Sequence, residues 1–274
     1  MRSARFTGES FPKLSSVTRE SPTAAPGVAV QIDAKGCQCA HPGRPAVRVS
    51  TVLLLTAMLA ISVMGATADR PPASAPHPGW RANVRRFAEE HLKHPAWGLS
   101  HSIRDYELAR RLAAEDHVSL DDDVIFAASY LHDVAAFAPY EKANVDHADE
   151  GARIVEGLLK ETGFPMSKID AVRSAIRTHM FEREPVGAEA LYLHDADALD
   201  WLGAIGVARI FALVDPNGGD PDGPTAVRML EENLAKVPPR VISSAGRAHL
   251  AARVRELEQF LRELRAESRD LQAL

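Results

Sequence analysis

Hydrophobic residues recur at helical spacing through most of the chain after residue 80. The segment 119–137, SLDDDVIFAASYLHDVAAF, has acidic residues in its expected first turn and is then apolar on every side, which is typical of a buried helix. The segments 100–115, 147–163, 167–181 and 189–214 also have helical periodicity, and none shows clean two-residue alternation. The pattern predicts an all-α fold, a single domain of five or more helices over residues 80–274.

Capping residues suggest where these helices begin and end. Ser102 with Asp105, and Ser167 with Asp170, have the spacing of a capping box, in which a serine begins the helix. The segment 189–214 is long for one helix, and we expect two helices that meet near Gly203.

The first 68 residues have a different character. Residues 1–50 are rich in Pro, Gly, Ser and Ala without periodicity, which indicates disorder. The uncharged run TVLLLTAMLAISVMG, 51–65, is shorter than a membrane span of about 20 residues but matches a signal-peptide core. ATA at 66–68 provides the small residues expected before a cleavage point at Asp69. The alternative interpretation of the apolar run is a buried core helix. We expect a disordered leader with a signal peptide (1–68), a linker (69–79) and an exported, periplasmic or secreted domain (80–274); a chain retaining the run would be cytoplasmic.

Charge and cysteine content narrow the function. The net charge is −5; residues 1–68 hold seven Lys and Arg and three Asp and Glu, which leaves 25 basic and 34 acidic residues, a net of −9, for residues 69–274. An acidic domain without a basic stripe is unsuited to binding nucleic acid, whereas a few arginines could hold a small anionic substrate. Both cysteines, Cys37 and Cys39, lie in the leader, so any metal site in the domain must use histidine and carboxylate.

Several polar residues fall on the apolar faces of the predicted helices. His132 and Asp133 are adjacent in an apolar segment, and their directions differ by only about 100° around a helix, so one cation could contact both. His147, His179 and Asp197 continue apolar stripes of other helices. Each alone is more simply a hydrogen-bonded core residue. Their repetition, without Lys or Arg on the same stripes, favours a metal site, because a buried carboxylate is unfavourable unless it is paired.

Four motifs carry a family resemblance. They are SHSIR (100–104), LHDVAAF (131–137), AIRTHM (175–180) and DADALDWLGAIGVAR (195–209). Together with the order His, His-Asp, His, His, Asp, they resemble the HD-domain superfamily of metal-dependent phosphohydrolases, and in particular a bacterial group of HD-domain hydrolases, over residues 97–267.

The resemblance implies a ligand set. Asp195 competes with Asp197 on helical periodicity, and the family's conserved element, which matches 196–199, favours Asp197. His147 and His179 match positions that bind a second metal in some members and contact substrate in others. The metal positions are His101, His132, Asp133 and Asp197, with His147 and His179 for a second ion.

The resemblance also implies the chemistry. Imidazoles with carboxylates suit Mn, Fe, Co, Ni or Zn, as one ion or two, and such an ion activates water for hydrolysis of a phosphoester or phosphoanhydride, with Asp133 essential to catalysis. Arg104 follows His101 by almost one turn and could meet a phosphate, or could be a solvated surface residue. The alternatives are a cyanamide-hydratase-like hydro-lyase, a diiron oxygenase and a non-catalytic metal- or ligand-binding module.

Overall fold

The computed structural model describes residues 79–274, and this part of the chain contains nine α-helices and no strand. The prediction of an all-α fold is confirmed. The expectations for residues 1–68 fall outside the described residues. No helix between residues 79 and 274 is long and apolar enough to cross a membrane. The helices are α1 (Trp80–His91), α2 (Leu99–Glu115), α3 (Asp122–Leu131), α4 (His147–Thr162), α5 (Ile169–Arg177), α6 (Ala188–Asp200), α7 (Gly203–Phe211), α8 (Gly223–Lys236) and α9 (Ser244–Glu267).

Side-chain caps fix the start of several helices. The carboxylates of Asp121 and Asp146 accept backbone N–H groups in the first turns of α3 and α4, and the hydroxyl of Ser243 does the same for α9. These bonds satisfy donors that have no partner inside the helix. Helix α4 ends at Gly163, whose φ of 88° lies in the left-handed region that glycine tolerates best.

Both capping-box predictions are wrong. Helix α2 begins at Leu99, ahead of Ser102, and its N-cap residue is Gly98. A Cβ on Gly98 would lie 2.4 Å from a preceding carbonyl oxygen, so the tight turn before α2 requires glycine and determines where the helix starts. In the second case a 3-10 turn contains Ser167, and α5 begins afterwards at Ile169.

Two helices end just before candidate site residues. Helix α3 stops at Leu131, so His132 caps it and Asp133 lies in the following turn with φ −94° and ψ 7°. Helix α5 stops at Arg177, two residues before His179. These side chains therefore project from helix ends, where the backbone direction changes, rather than from continuous helical faces.

The core is centred on α3, which packs against α1, α2, α5 and α6. Its residues from Val124 to Leu131 are all buried, as expected from its apolar circumference. Helix α2 packs along α6 and brings two elements of the site together. The long α9 packs against α6 and α7 of its own domain through buried Leu257 and Leu261.

Candidate metal centre

Polar side chains from five places in the fold meet in the interior. Helix α2, the turn after α3, the first residue of α4, the residues after α5, and α6 each contribute at least one imidazole or carboxylate, and the end of α6 adds a supporting aspartate. Packing of α2 on α3 and α6 places these groups within reach of one another. The residues are His101, Asp105, His132, Asp133, His147, His179, Asp197 and Asp200.

His101 lies at the centre of one group. Its Nε2 atom is 3.2 Å from Nε2 of His132 and 3.3 Å from Oδ1 of Asp197. Oδ2 of Asp105 is also 3.2 Å from this nitrogen, and Oδ2 of Asp133 is 3.7 Å from it. Four sequence-predicted ligands of the first metal are thus brought together, and Asp105 joins them.

Asp133 faces two sets of histidines with its two oxygens. Oδ2 lies 3.3 Å from Nε2 of His132. Oδ1 lies 3.2 Å from Nε2 of His147 and 3.6 Å from Nε2 of His179. The carboxylate therefore connects the first group to the two histidines predicted for a second ion.

The outer nitrogens of three imidazoles are held by acceptors. Nδ1 of His132 lies 2.8 Å from the carbonyl oxygen of Ser129, and Nδ1 of His179 lies 2.7 Å from that of Ile176. Because a carbonyl oxygen only accepts, Nδ1 carries the proton in both rings. Each neutral ring thus turns the lone pair of Nε2 toward the site, the arrangement typical of metal-binding histidines.

His101 is held in the same way by a carboxylate. Its Nδ1 donates to Oδ2 of Asp200 at 2.9 Å, and Asp200 also accepts from Arg104 (2.7 Å) and from Arg209 (3.1 Å). Although burial raises its pKa, these donors lower the pKa of Asp200 well below the usual range. The Arg104 guanidinium, which the sequence suggested for phosphate, is directed at this carboxylate through Nε and Nη2.

The carboxylates of the site have opposed electrostatic environments. Burial raises the pKa of Asp133, but His132, His147 and His179 together hold it well below its usual value. Burial also raises the pKa of Asp105, and here the neighbouring carboxylates of Asp200 and Asp197 raise it further. Asp105 therefore holds its proton more readily than Asp133 does, and a cation at this end of the site would favour its ionised form.

Asp195 lies elsewhere and has a different use. Its carboxylate accepts the backbone N–H of Ile242 (3.0 Å) and of Ser243 (2.6 Å), and Nδ1 of His194 lies 2.9 Å away. It thus anchors the chain that enters α9, whereas Asp197 lies beside His101. The second His-Asp pair of the sequence is a structural contact.

The donor set fits a divalent metal ion. One nitrogen or oxygen from each of His101, His132, Asp105 and Asp197 lies within 4.8 Å of the others, as do atoms of His132, Asp133 and His179. Neutral imidazoles and carboxylates are ligands for Mn, Fe, Co, Ni or Zn. Both oxygens of Asp105 are buried without a hydrogen bond to any described residue, as expected for a carboxylate whose partner is an ion.

Sequence reasoning missed Asp105, Asp200 and Arg209. Asp105 is one helical turn after His101, and Asp200 is almost one turn after Asp197, so helical periodicity from the predicted ligands was the available signal. The capping-box spacing of Asp105 from Ser102 points instead to a helix start. Arg209 lies on α7, and no local pattern indicates that it reaches the carboxylate at the end of α6.

The helical domain thus holds a buried His/Asp cluster of the kind that binds a divalent metal ion. Residues 98–202 match the family model described as HD domain. This region of the chain is an HD domain. A comparison with curated proteins gives no match.

Solved structures show the same fold. A predicted HD superfamily hydrolase from an uncultured Thermotogales bacterium is 29% identical, with 70% of this chain and 93% of that chain covered and a TM-score of 0.50. A Lactobacillus plantarum protein is 23% identical over 70% and 98% of the two chains, with a TM-score of 0.53. YpgQ from Bacillus subtilis, solved in complex with ADP, is 19% identical over 68% and 97%, with a TM-score of 0.54. The similarity to the Lactobacillus plantarum protein and to YpgQ concerns the fold alone. The match to the HD-domain model, the similarity to the Thermotogales structure and the buried His/Asp cluster support a metal-dependent hydrolase.

Proposed function

We propose that this protein is a metal-dependent phosphohydrolase that cleaves a phosphoester or phosphoanhydride bond in a small anionic, nucleotide-like molecule. The observation that carries the proposal is the position of Asp133, whose two oxygens face His132 on one side and His147 with His179 on the other. A carboxylate shared between two donor groups is suited to a site for two ions. Divalent ions bound there would activate water and neutralise charge on the phosphoryl group.

The residues around the site prepare it for this use. His101 and His132 have their Nδ1 atoms engaged by Asp200 and by a backbone carbonyl, so both rings are held with Nε2 directed inward before any ion binds. Asp133 and Asp197 supply negative charge at the same place. Little reorganisation is then required when a cation enters.

Substrate would reach the site on the side of His147. The side chain of His147 is 30% exposed, whereas those of Asp133 and Asp197 are 11% and 9% exposed. The buried ligands would contact only the reacting group, and the remainder of the molecule would lie outside. Arg104, 31% exposed, donates to Asp200 through Nε and Nη2. Its Nη1, which has no hydrogen bond to the described residues, would be available to an anionic group.

Metal analysis combined with a substrate panel tests the proposal. The purified protein is analysed for bound metal and assayed with nucleotides, simple phosphoesters and cyanamide, each with Mn²⁺, Fe²⁺, Co²⁺, Ni²⁺ or Zn²⁺. Phosphate release that requires the ion and disappears in Asp133→Asn supports the proposal, and Asp195→Asn is the matched control that retains activity. Hydration of cyanamide, or dioxygen consumption by a two-iron form, would replace it with the corresponding alternative. Metal binding without turnover of any compound would favour the binding module.

A further inference from the structure

Asp105 is a fully buried carboxylate without a hydrogen-bond partner among the described residues. It is 0% exposed, and neither oxygen forms a hydrogen bond with any residue in 79–274. An ionised carboxylate in this position is strongly unfavourable, because burial removes its hydration and no hydrogen bond replaces it. The carboxylates of Asp197 and Asp200 are close enough to repel it.

The nearest groups cannot serve as donors in the arrangement observed. Oδ2 of Asp105 is 3.2 Å from Nε2 of His101 and 3.7 Å from Nε2 of His132, and neither contact has the geometry of a hydrogen bond. Both imidazoles donate through Nδ1 to other acceptors, so in the neutral rings their Nε2 atoms present lone pairs. Three electron-pair donors therefore face one another.

Burial raises the pKa of Asp105 and the positive charge of Arg209 lowers it, but two nitrogens of Arg209 donate to other acceptors and its buried Nη2 has no hydrogen bond to a described residue. Its Nε donates to the carbonyl oxygen of Ala96 at 2.6 Å and its Nη1 to Asp200 at 3.1 Å. It forms no hydrogen bond with Asp105. The Asp105 carboxylate therefore points into the metal centre without a hydrogen-bond donor from the described residues, and a bound metal ion would supply the positive charge that it lacks.

We infer that Asp105 is an additional ligand of the ion held by His101, His132 and Asp197, an inference that rests on the proposed metal site. Ligands of one first-row divalent ion bind at about 2.0–2.2 Å and are therefore separated by about 3–4 Å. The separations of Asp105 from the two imidazole nitrogens, 3.2 and 3.7 Å, lie in this range. Because Asp105 follows His101 by one turn of α2, a single rigid helix supplies both ligands.

The additional ligand makes Asp105 a determinant of metal choice. With Asp197 of the same group, and with Asp133, whose Oδ2 lies 3.7 Å from Nε2 of His101, it would place three carboxylates and two imidazoles around the first ion. This oxygen-rich set of five suits the six-coordinate ions Mn²⁺ and Fe²⁺ better than Zn²⁺, which favours four ligands in a tetrahedron. The protein is expected to bind Mn²⁺ more tightly, relative to Zn²⁺, than a variant that lacks the Asp105 charge.

The test compares full-length wild type with Asp105→Asn and with Asp195→Asn, another fully buried aspartate. Calorimetric titration gives Mn²⁺ and Zn²⁺ affinities, and thermal melting with chelator gives the stability of the cation-free protein. We expect Asp105→Asn to lower Mn²⁺ affinity at least about 10-fold, by analogy with outer partners of metal ligands, and to reduce the preference for Mn²⁺ relative to Zn²⁺. Its cation-free Tm should stay close to that of wild type, because the Asp105 carboxyl has no hydrogen bond to a described residue that the change could remove. Asp195→Asn should lower the Tm and keep the affinity.

Each contrary result has a definite meaning. If Asp105→Asn binds both ions as wild type does, Asp105 is not a ligand and only this inference fails. If cation-free Asp105→Asn melts below wild type or does not fold, the carboxylate instead pairs with a protonated histidine, and the inference is overturned. A wild type that binds no divalent ion would overturn the inference and the proposed function together.

Discussion

Asp195 and Asp197 lie two residues apart on α6 and are both buried, yet their replacement by asparagine should have different consequences. Asp195 accepts the backbone N–H groups of Ile242 and Ser243. An asparagine retains one acceptor oxygen and loses the charge. Because a hydrogen bond to a charged group contributes about 1.5–3 kcal/mol, Asp195→Asn should lower the free energy of unfolding by about 2 kcal/mol and leave metal affinity unchanged.

Asp197→Asn should chiefly change metal binding. Oδ1 of Asp197 lies 3.3 Å from Nε2 of His101, and although burial raises the pKa of Asp197, His101, His179 and His132 lower it below its usual value. Because these histidines are favourable partners for the charge, its loss should lower the free energy of unfolding of the cation-free protein by no more than about 2 kcal/mol. Metal affinity should fall at least about 100-fold, because even groups outside the ligand set change affinity 10- to 100-fold.

Urea denaturation in chelator measures stability, and elemental analysis with calorimetric titration measures metal. A variant pair in which Asp195→Asn loses metal while Asp197→Asn retains it would refute the assignment of roles on α6. pH provides an independent check. Although burial raises it, hydrogen bonds lower the pKa of Asp195 below its usual value near 3.9, so its contribution to stability is present above that pH and is lost as the pH falls through the folded-state pKa. Asp195→Asn should therefore lose less stability than wild type on acidification below about pH 4.

Further predictions concern the second ion, the core and the leader. Removing His147 as His147→Ala should leave the first ion bound and reduce metal content from two ions to one, and an unchanged count of one would show that no second ion binds. Truncation of the fully buried Leu257 in Leu257→Ala should lower the free energy of unfolding by about 2–5 kcal/mol, as urea denaturation would show, and a negligible change would contradict the packing of α9 on the domain. We also propose that the mature protein begins near Asp69 outside the cytoplasm. N-terminal sequencing from the native host checks this, and a cytoplasmic chain that retains residues 50–68 would disprove it.

Sequence patterns were informative where one periodicity dominated. The apolar circumference of α3 and the break near Gly203 predicted helices that the structure contains. The helix starts could not be obtained in this way, because the turn at Gly98 depends on a close approach of backbone atoms rather than on a serine cap. A capping box is defined by four consecutive residues, so it cannot indicate that backbone atoms crowd Gly98.

For the site, family resemblance and helical stripes identified the residues that project inward. What they could not provide was the second layer of contacts. The role of Asp200 depends on two arginines from different helices, and that of Asp195 depends on backbone groups almost 50 residues later in the chain. Both are products of tertiary packing, and the same residue type on neighbouring turns of α6 gives no local sign of which function each one has.

The bond between Arg209 and Asp200 has a consequence for any shortened form of the protein. The region that matches the family model, 98–202, includes every proposed ligand, but Arg209 lies beyond its end and the carbonyl of Ala96 lies before its start. A fragment cut at the family borders would retain the ligands and Arg104 but lose Arg209, one of the two arginines that hold Asp200, the acceptor of His101 Nδ1. We therefore expect the smallest autonomous metal-binding unit of this protein to be larger than its recognisable motif and to include α7, which contributes no ligand.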